Sequence, residues 1–262
     1  STSADTATRG DFAYAIRKSV WHTRAVVDGL SSASMSNLLP RALETLWREP
    51  PPRRRGAGLT RERIVKAAID VADADGLAAL SMARLAEHLG CGTMSIYRHV
   101  ANKDDLVTLM VAAAVGPPPQ LDPTDWVAAL RHWSTALWEV YHRHPWILQA
   151  AAAGPPADPQ QLAWLDTALA ALRGTGLAER DKLAAVTALM HLVRGAAALH
   201  IDAGRLDWPE YPVLLRRLID ADRFPALTAA LDAGAFDPVD ADPLTDLHSA
   251  VDYLLDGIAA KL

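Results

Sequence analysis

The sequence predicts an all-α protein, an N-terminal helix-turn-helix domain of three to four helices followed by a larger helical domain, and three observations lead there. Ala and Leu dominate the composition, while strand-like runs of Val, Ile, Thr and aromatic residues are nearly absent. The 15 Gly and 17 Pro gather at a few breaks rather than spreading through the chain. Between those breaks apolar residues return at helical spacing, three and four positions apart. With 262 residues, half of them apolar, the chain can bury two modest cores.

Residues 1–52 read as an N-terminal extension, partly helical or flexible, with short helices around 12–29 and 38–48. Met35 opens the stretch MSNLLPRALETLW, which would serve as an N-terminus by itself, so residues 1–34 are expected to be dispensable. Pro50-Pro51-Pro52 then stiffens the chain ahead of a basic arm at 53–59. Arg53, Arg54 and Arg55 there are either a solvated linker or an arm laid on a nucleic-acid backbone or minor groove.

The head is expected at 60–114. Thr60 is a good N-cap for a helix that repeats Ile64, Ala67, Ala68, Val71 and Ala72 until Asp75-Gly76 ends it. Ser81 caps a second helix running to about His88. Leu85, Ala86 and Leu89 on one side of Gly90-Cys91-Gly92, and Ile96 and Val100 on the other, are spaced as the inner faces of two short helices joined by a tight turn. Asn102 caps a fourth helix, with Asp104 and Asp105 in the first turn, where the helix dipole favours negative charge.

Val115-Gly116-Pro117-Pro118-Pro119 closes the head, and the body at 120–262 restarts with a recurring Asp-Pro signal at Asp122-Pro123, Asp158-Pro159 and Asp242-Pro243. Each places a capping Asp before a proline at the first helical position, and Gln161 completes a capping-box-like arrangement with Asp158. Helices are expected near 123–143, 159–173, 180–203, 209–220, 225–232 and 243–260. No repeat of 20–50 residues is evident.

Three stripes run along this body. Trp126, Leu130, Trp133, Leu137 and Tyr141 share one face of the first helix, with Trp138 and His142 beside it. Trp133, Trp138 and Trp164 are candidate walls for a flat or amphipathic small molecule, or else core residues. In the 180–203 helix Leu183, Val186, Met190, Val193 and Ala197 form an apolar stripe. Thr187, His191 and Arg194 run beside it and could orient a polar ligand group, although His191 is as readily a satisfied core histidine. The last helix repeats Leu244, Leu247, Val251, Leu254 or Leu255, and Ile258, a face that must be buried somewhere.

Charge is unevenly distributed. Residues 53–103 carry nine Lys/Arg against five Asp/Glu, whereas residues 104–262 carry eleven against twenty-one, within a net charge of −5. A basic head on an acidic body keeps a polyanion at one end. The single Cys91 can form neither an internal disulfide nor a cysteine metal site, so a reducing, cytoplasmic setting is the easier reading. No 18-residue apolar run and no basic-then-apolar leader stand out, and no membrane association is expected. GxSxG, P-loop, HExxH and CxxC motifs are absent, His142 with His144 and His191 with His200 are poorly spaced for a shared metal, and neither cofactor, metal nor catalytic residue is expected.

The ordered run Leu89-Gly90-Cys91-Gly92-Thr93-Met94-Ser95-Ile96-Tyr97-Arg98-His99-Val100-Ala101-Asn102-Lys103 resembles the DNA-binding domain of TetR-type transcriptional regulators. Residues 60–110 carry the likeness strongly, 120–262 more weakly, and 1–40 not at all. The resemblance implies that Thr93, Met94 and Ser95 begin the recognition helix and face base edges, and that Tyr97, His99 and Lys103, with the amides opening the fourth helix, hold phosphates. Read singly, Tyr97 is equally a half-buried packing residue and His99 a helix-C-terminal cation. Arg98, about one turn from Met94, could reach a guanine edge. Met82-Ala83 stands where relatives often present Thr or Arg, leaving Arg84 as that helix's one cation, with Ser81 ahead of it.

The resemblance further implies a homodimer in which the 180–203 and 243–260 helices of two chains form a four-helix bundle through Val186, Met190, Leu247, Val251, Leu254 and Ile258. A two-fold dimer is what a palindromic operator in double-stranded DNA requires. The expectation is therefore a DNA-binding transcriptional regulator, a repressor released from its operator by a small amphipathic effector. The alternative is a helical small-molecule-binding or scaffold protein without specific DNA binding.

Overall fold

Thr60, Ser81 and Asn102 each accept a hydrogen bond from the backbone N–H three residues on, from Arg63, Arg84 and Asp105 respectively, and each opens a helix of the head. The computed structural model describes residues 40–48, 58–150, 156–205, 211–236 and 244–262, and the expected 12–29 helix, Arg53–Arg55 and the Asp242-Pro243 cap lie outside them. Among the described residues there are twelve α-helices and no strand. Helix α1 (Arg41–Trp47) falls in the first of two units, residues 1–48, and residues 49–262 make the second.

The head consists of α2 (Arg61–Asp75), a 3₁₀ turn (Leu77–Ala79), α3 (Met82–Leu89), α4 (Thr93–Tyr97) and α5 (Lys103–Val115). α2 ends at Gly76 and α3 at Gly90, whose φ of 63° lies in the left-handed region that glycine tolerates best. That bend lets Cys91 N–H return to the Ala86 carbonyl and turns the chain into α4. Five residues cannot hold a helix in water, because nucleation alone is unfavourable. What keeps α4 helical is its packing on α3 together with the burial of Ile96 and, just beyond it, Val100, in a head whose α2 and α3 also bury Ile64, Ala68 and Leu85. Each such aliphatic side chain contributes roughly 1.5–3 kcal/mol.

The body is built around α6 (Trp126–Arg143), which packs against α9 (Glu179–Arg205), α8 (Pro159–Ala171) and α12 (Leu244–Ala259). α7 (Ile147–Ala150) packs against α5, and α10 (Tyr211–Leu218) against α11 (Pro225–Asp232). Asp158 caps α8 as its Asp-Pro signal predicts, accepting from both the Gln160 and Gln161 amides. Asp122 behaves differently from the expectation. It accepts from the Thr124 amide and hydroxyl in a tight turn, which holds its carboxyl below the usual range, and Asp125 caps α6 through the Ala128 amide. The helix consequently starts at Trp126, three residues later than the proline suggested.

The buried stripe of α9 is Val186, Leu189, Val193 and Ala197, while Leu183 is exposed and Met190 half-buried. The buried stripe of α12 is Leu247, Val251, Leu255 and Ile258. α9 is long and apolar enough by length and composition to cross a membrane over 179–202. In this fold its buried stripe faces α6, α8 and α12.

Candidate nucleic-acid interface and effector groove

The surface of the head follows from what its core withholds. With Ile96 and Val100 turned inward, Thr93, Met94, Tyr97 and Arg98 are exposed, Ser95 and His99 are half-buried, and Met94 shows 71% of its surface. An apolar side chain that bare is a cost in water unless something covers it. Arg98 and Lys103 enter no ion pair among the described residues, so their charges are directed to solvent. Arg84 is different, since its guanidinium meets Asp75 at 2.5 Å, joining α3 to the end of α2. Ser81 spends a lone pair on the Arg84 amide but keeps its hydroxyl proton.

One determinant escaped the sequence. Arg61 Nε donates to the His99 carbonyl at 3.3 Å, tying the first turn of α2 to the end of the recognition segment across 38 residues. A cation at the start of a helix reads as surface, and only the fold shows it reaching the turn after α4.

In the body, Trp133 is a core residue, and Trp164 is buried beside it while also edging the groove between head and body. Trp133 Nε1 donates to the Trp164 carbonyl and Trp164 Nε1 to the Gly116 carbonyl, both at 3.0 Å, and the two indoles meet edge-on at 5.8 Å between centroids. Trp138 is buried beside His142 and His200. Thr187 returns its hydroxyl to the Leu183 carbonyl, and His191 is exposed, away from the interior. Arg194 does reach inward, donating to the Leu148 carbonyl at 2.8 Å and lying close enough to Tyr141 to oppose the upward push that burial gives its phenol. Thr187, His191 and Arg194 thus do not converge on one point.

The assigned dimer residues also divide. Val186, Leu247 and Val251 are buried inside the protomer, where α9 and α12 turn their apolar stripes toward α6 and each other, and Ile258, largely buried, also borders the outer depression between them. The adjoining outer face holds Ala184, Ala185 and Ala188 of α9 and Tyr253, Leu254 and Gly257 of α12, around a depression of about 340 Å³. Tyr253 is 80% exposed there.

Head and body meet at Asp73. Its Oδ1 accepts from Trp146 Nε1 at 2.7 Å and from His144 Nδ1 at 2.8 Å, linking α2 to the bend between α6 and α7. Beside this contact lies a groove of about 470 Å³ bordered by Ile69 of the head, Gly116 at the end of α5, and Glu139, Arg143, His144 and Trp164 of the body.

Sequence comparison finds family matches over two stretches of the chain. The family description "Bacterial regulatory proteins, tetR family" matches residues 64–110, and "Tetracyclin repressor-like, C-terminal domain" matches residues 118–262. The chain belongs to the TetR family. As a TetR-family protein it is a DNA-binding transcriptional regulator of the helix-turn-helix type. The HTH-type transcriptional repressor DrrR1 of Streptomyces coeruleorubidus is 33% identical over 225 residues, 80% of this chain and 83% of its own. An HTH-type transcriptional regulator of Saccharopolyspora erythraea is 35% identical over 143 residues, 53% of this chain and 60% of its own. The crystal structure of the TetR family protein ActR of Streptomyces coelicolor in complex with actinorhodin superimposes with a TM-score of 0.68 at 25% identity, covering 78% of this chain and 99% of ActR.

Proposed function

We propose that this TetR-family regulator is a homodimeric repressor that an amphipathic effector releases from a palindromic operator. The observation that carries the DNA half is the exposed set Thr93, Met94, Tyr97 and Arg98 on a five-residue helix whose fold is secured entirely from beneath. Met94 and Thr93 supply methyl groups for thymine, Ser95 a hydroxyl for a base edge, Arg98 a fork for guanine, and Tyr97, His99 and Lys103 hold the flanking phosphates. Arg84, whose guanidinium also meets Asp75, would add the cation of α3 to the same surface.

Support for the effector half comes from the groove. Its volume suits a small molecule, and Ile69, Val140 and Trp164 beside Glu139, Arg143 and His144 give it the mixed lining an amphipathic molecule needs. ActR, a relative by fold, has been crystallised with actinorhodin, and DrrR1 is a repressor. An occupant touching Ile69 and His144 together would bear on the Asp73 contact and shift α2 and α5 against the body. A coupling of about 1–3 kcal/mol between effector and operator is typical of such linkage. A two-fold dimer through the Tyr253 and Leu254 face would set two recognition helices about 34–36 Å apart.

Selection of bound sequences from random duplex DNA, followed by gel shift, tests the reading. An inverted repeat with half-sites one helical turn apart is the expected product, and binding indifferent to sequence would overturn it.

A further inference from the structure

The pair His142 and His200 is the feature that the regulatory reading leaves unused. The residues come from α6 and α9, 58 positions apart, and His142 Nε2 lies 2.9 Å from His200 Nδ1. Trp138 stands against both rings, 4.1 Å from the His142 centroid and 5.4 Å from that of His200. His142 Nδ1 donates to the Trp138 carbonyl at 2.9 Å, so in the neutral ring the proton is on Nδ1 and the Nε2 lone pair faces His200. Two such nitrogens need a positive centre between them, and a proton shared from His200 Nδ1 supplies one.

We propose that His142 and His200 form a binding site for a divalent transition ion of the Cu²⁺ or Ni²⁺ type, which takes the place of that shared proton while neutral His200 carries its hydrogen on Nε2 instead. Three features carry it. The remote nitrogen of His142 is already fixed on a backbone carbonyl, the outer-shell arrangement that orients metal-binding imidazoles. Both side chains are reachable, His200 being exposed and His142 half-buried, and the exposed His200 ring is free to turn its lone pair toward a shared ion. The spacing is also within reach of a shared ion. With metal–nitrogen bonds of about 2.0–2.1 Å, two ligating nitrogens stand about 3 Å apart, close to the present hydrogen-bond separation of 2.9 Å, so the rings need only a small adjustment. Imidazole pairs with open remaining positions suit Cu²⁺ and Ni²⁺, and the affinity order places Cu²⁺ above Zn²⁺.

Among the described residues no third His, Cys, Asp or Glu completes the shell, so two or more positions stay with water or a chelating small molecule. The ion would clasp α6 to α9 at the far end of α6 from its Asp125 cap.

The experiment titrates the metal-free full chain with Ni²⁺, and separately with Cu²⁺ and Zn²⁺, following tryptophan fluorescence and heat. Expected are one Ni²⁺ or Cu²⁺ per chain, quenching of Trp138, and weaker Zn²⁺ binding. His142→Gln and His200→Gln should each lower Ni²⁺ affinity at least about tenfold, and His132→Gln, on an exposed position of α6, should not. Trp138→Phe should remove the quenching while heat still reports binding. Equal affinity in wild type and both His variants, or quenching retained in the Trp138→Phe chain, overturns the proposal. So does the absence of saturable binding, with far-ultraviolet dichroism confirming that each variant is folded.

Discussion

Asp73 of α2 and Trp146, the residue ahead of α7, are joined by a 2.7 Å hydrogen bond in which the indole N–H donates to a carboxylate that His144 also uses. Trp146 is 2% exposed, so its N–H has no water to fall back on. Asp73→Asn preserves shape but replaces a charged acceptor shared by two donors with a neutral one. Hydrogen bonds to charged groups contribute about 1.5–3 kcal/mol against 0.5–1.5 for neutral ones. With the Asp73 side chain 31% exposed, the loss is discounted to about 1 kcal/mol. Urea unfolding should show a lower midpoint at unchanged slope, and an unmoved midpoint would mean that the contact does not hold head to body.

The DNA contacts separate by salt. Lys103→Ala removes a phosphate partner, so the slope of log affinity against log salt should flatten by about 0.9 while the preferred sequence stays the same. Arg98→Ala should cost about 1–3 kcal/mol on the selected operator and relax discrimination at one base pair in each half-site. Fluorescence anisotropy across a salt series reads both. Should Arg98→Ala bind every sequence less well by a common factor, Arg98 is a phosphate contact and base reading rests on Thr93, Met94 and Ser95.

Much of this architecture was legible because its signals are local. Thr60, Ser81, Asn102 and Asp158 cap the helices they precede, and Leu85, Ile96 and Val100 are buried, since capping and periodicity act within one turn. Asp122 misled because a proline after an aspartate marks a turn as well as a helix start, and Thr124 offered the closer partner. Apolar stripes were visible on α9 and α12, but periodicity cannot say whether a stripe meets its own chain or another. Leu189 and Leu255 went inward and Leu183 and Leu254 did not, a choice made by how α9 and α12 are rotated against α6. Relations of long sequence separation, Arg61 with His99, Asp73 with Trp146 and His142 with His200, left no trace in the sequence.

The outer face of α9 and α12 predicts where the dimer can be broken without unfolding the chain. Leu254→Asp places a carboxylate beside Ala184, Ala185 and Gly257 at a position only half-buried in the protomer, so the monomer tolerates it. Burying that charge unpaired in an interface would cost several kcal/mol. Sedimentation should show a monomer at micromolar concentration with unchanged dichroism, and operator affinity should collapse with it. Val251→Asp, aimed at a fully buried side chain, should unfold the protein instead. A Leu254→Asp chain that stays dimeric would move the interface to another face.

The pH dependence of stability follows from His200. Burial foremost, and then the charge of His142, lower its proton affinity in the folded chain. The unfolded chain, with an ordinary imidazole value of about 6.5, therefore takes up this proton first as pH falls. In the interval between the unfolded value and the lower folded one the unfolded state binds more protons, and stability rises with pH there. The contribution is complete above about pH 6.5 and is lost as pH drops through that interval. The variant has nothing to protonate at position 200, so the stability difference between wild type and His200→Gln should hold level above about pH 6.5 and shrink as pH falls below it. Thermal midpoints of both chains, measured without metal across that range, decide it. A difference that stays constant would show that His200 takes its proton equally well folded and unfolded, and that the 2.9 Å contact with His142 imposes no preference for the neutral ring.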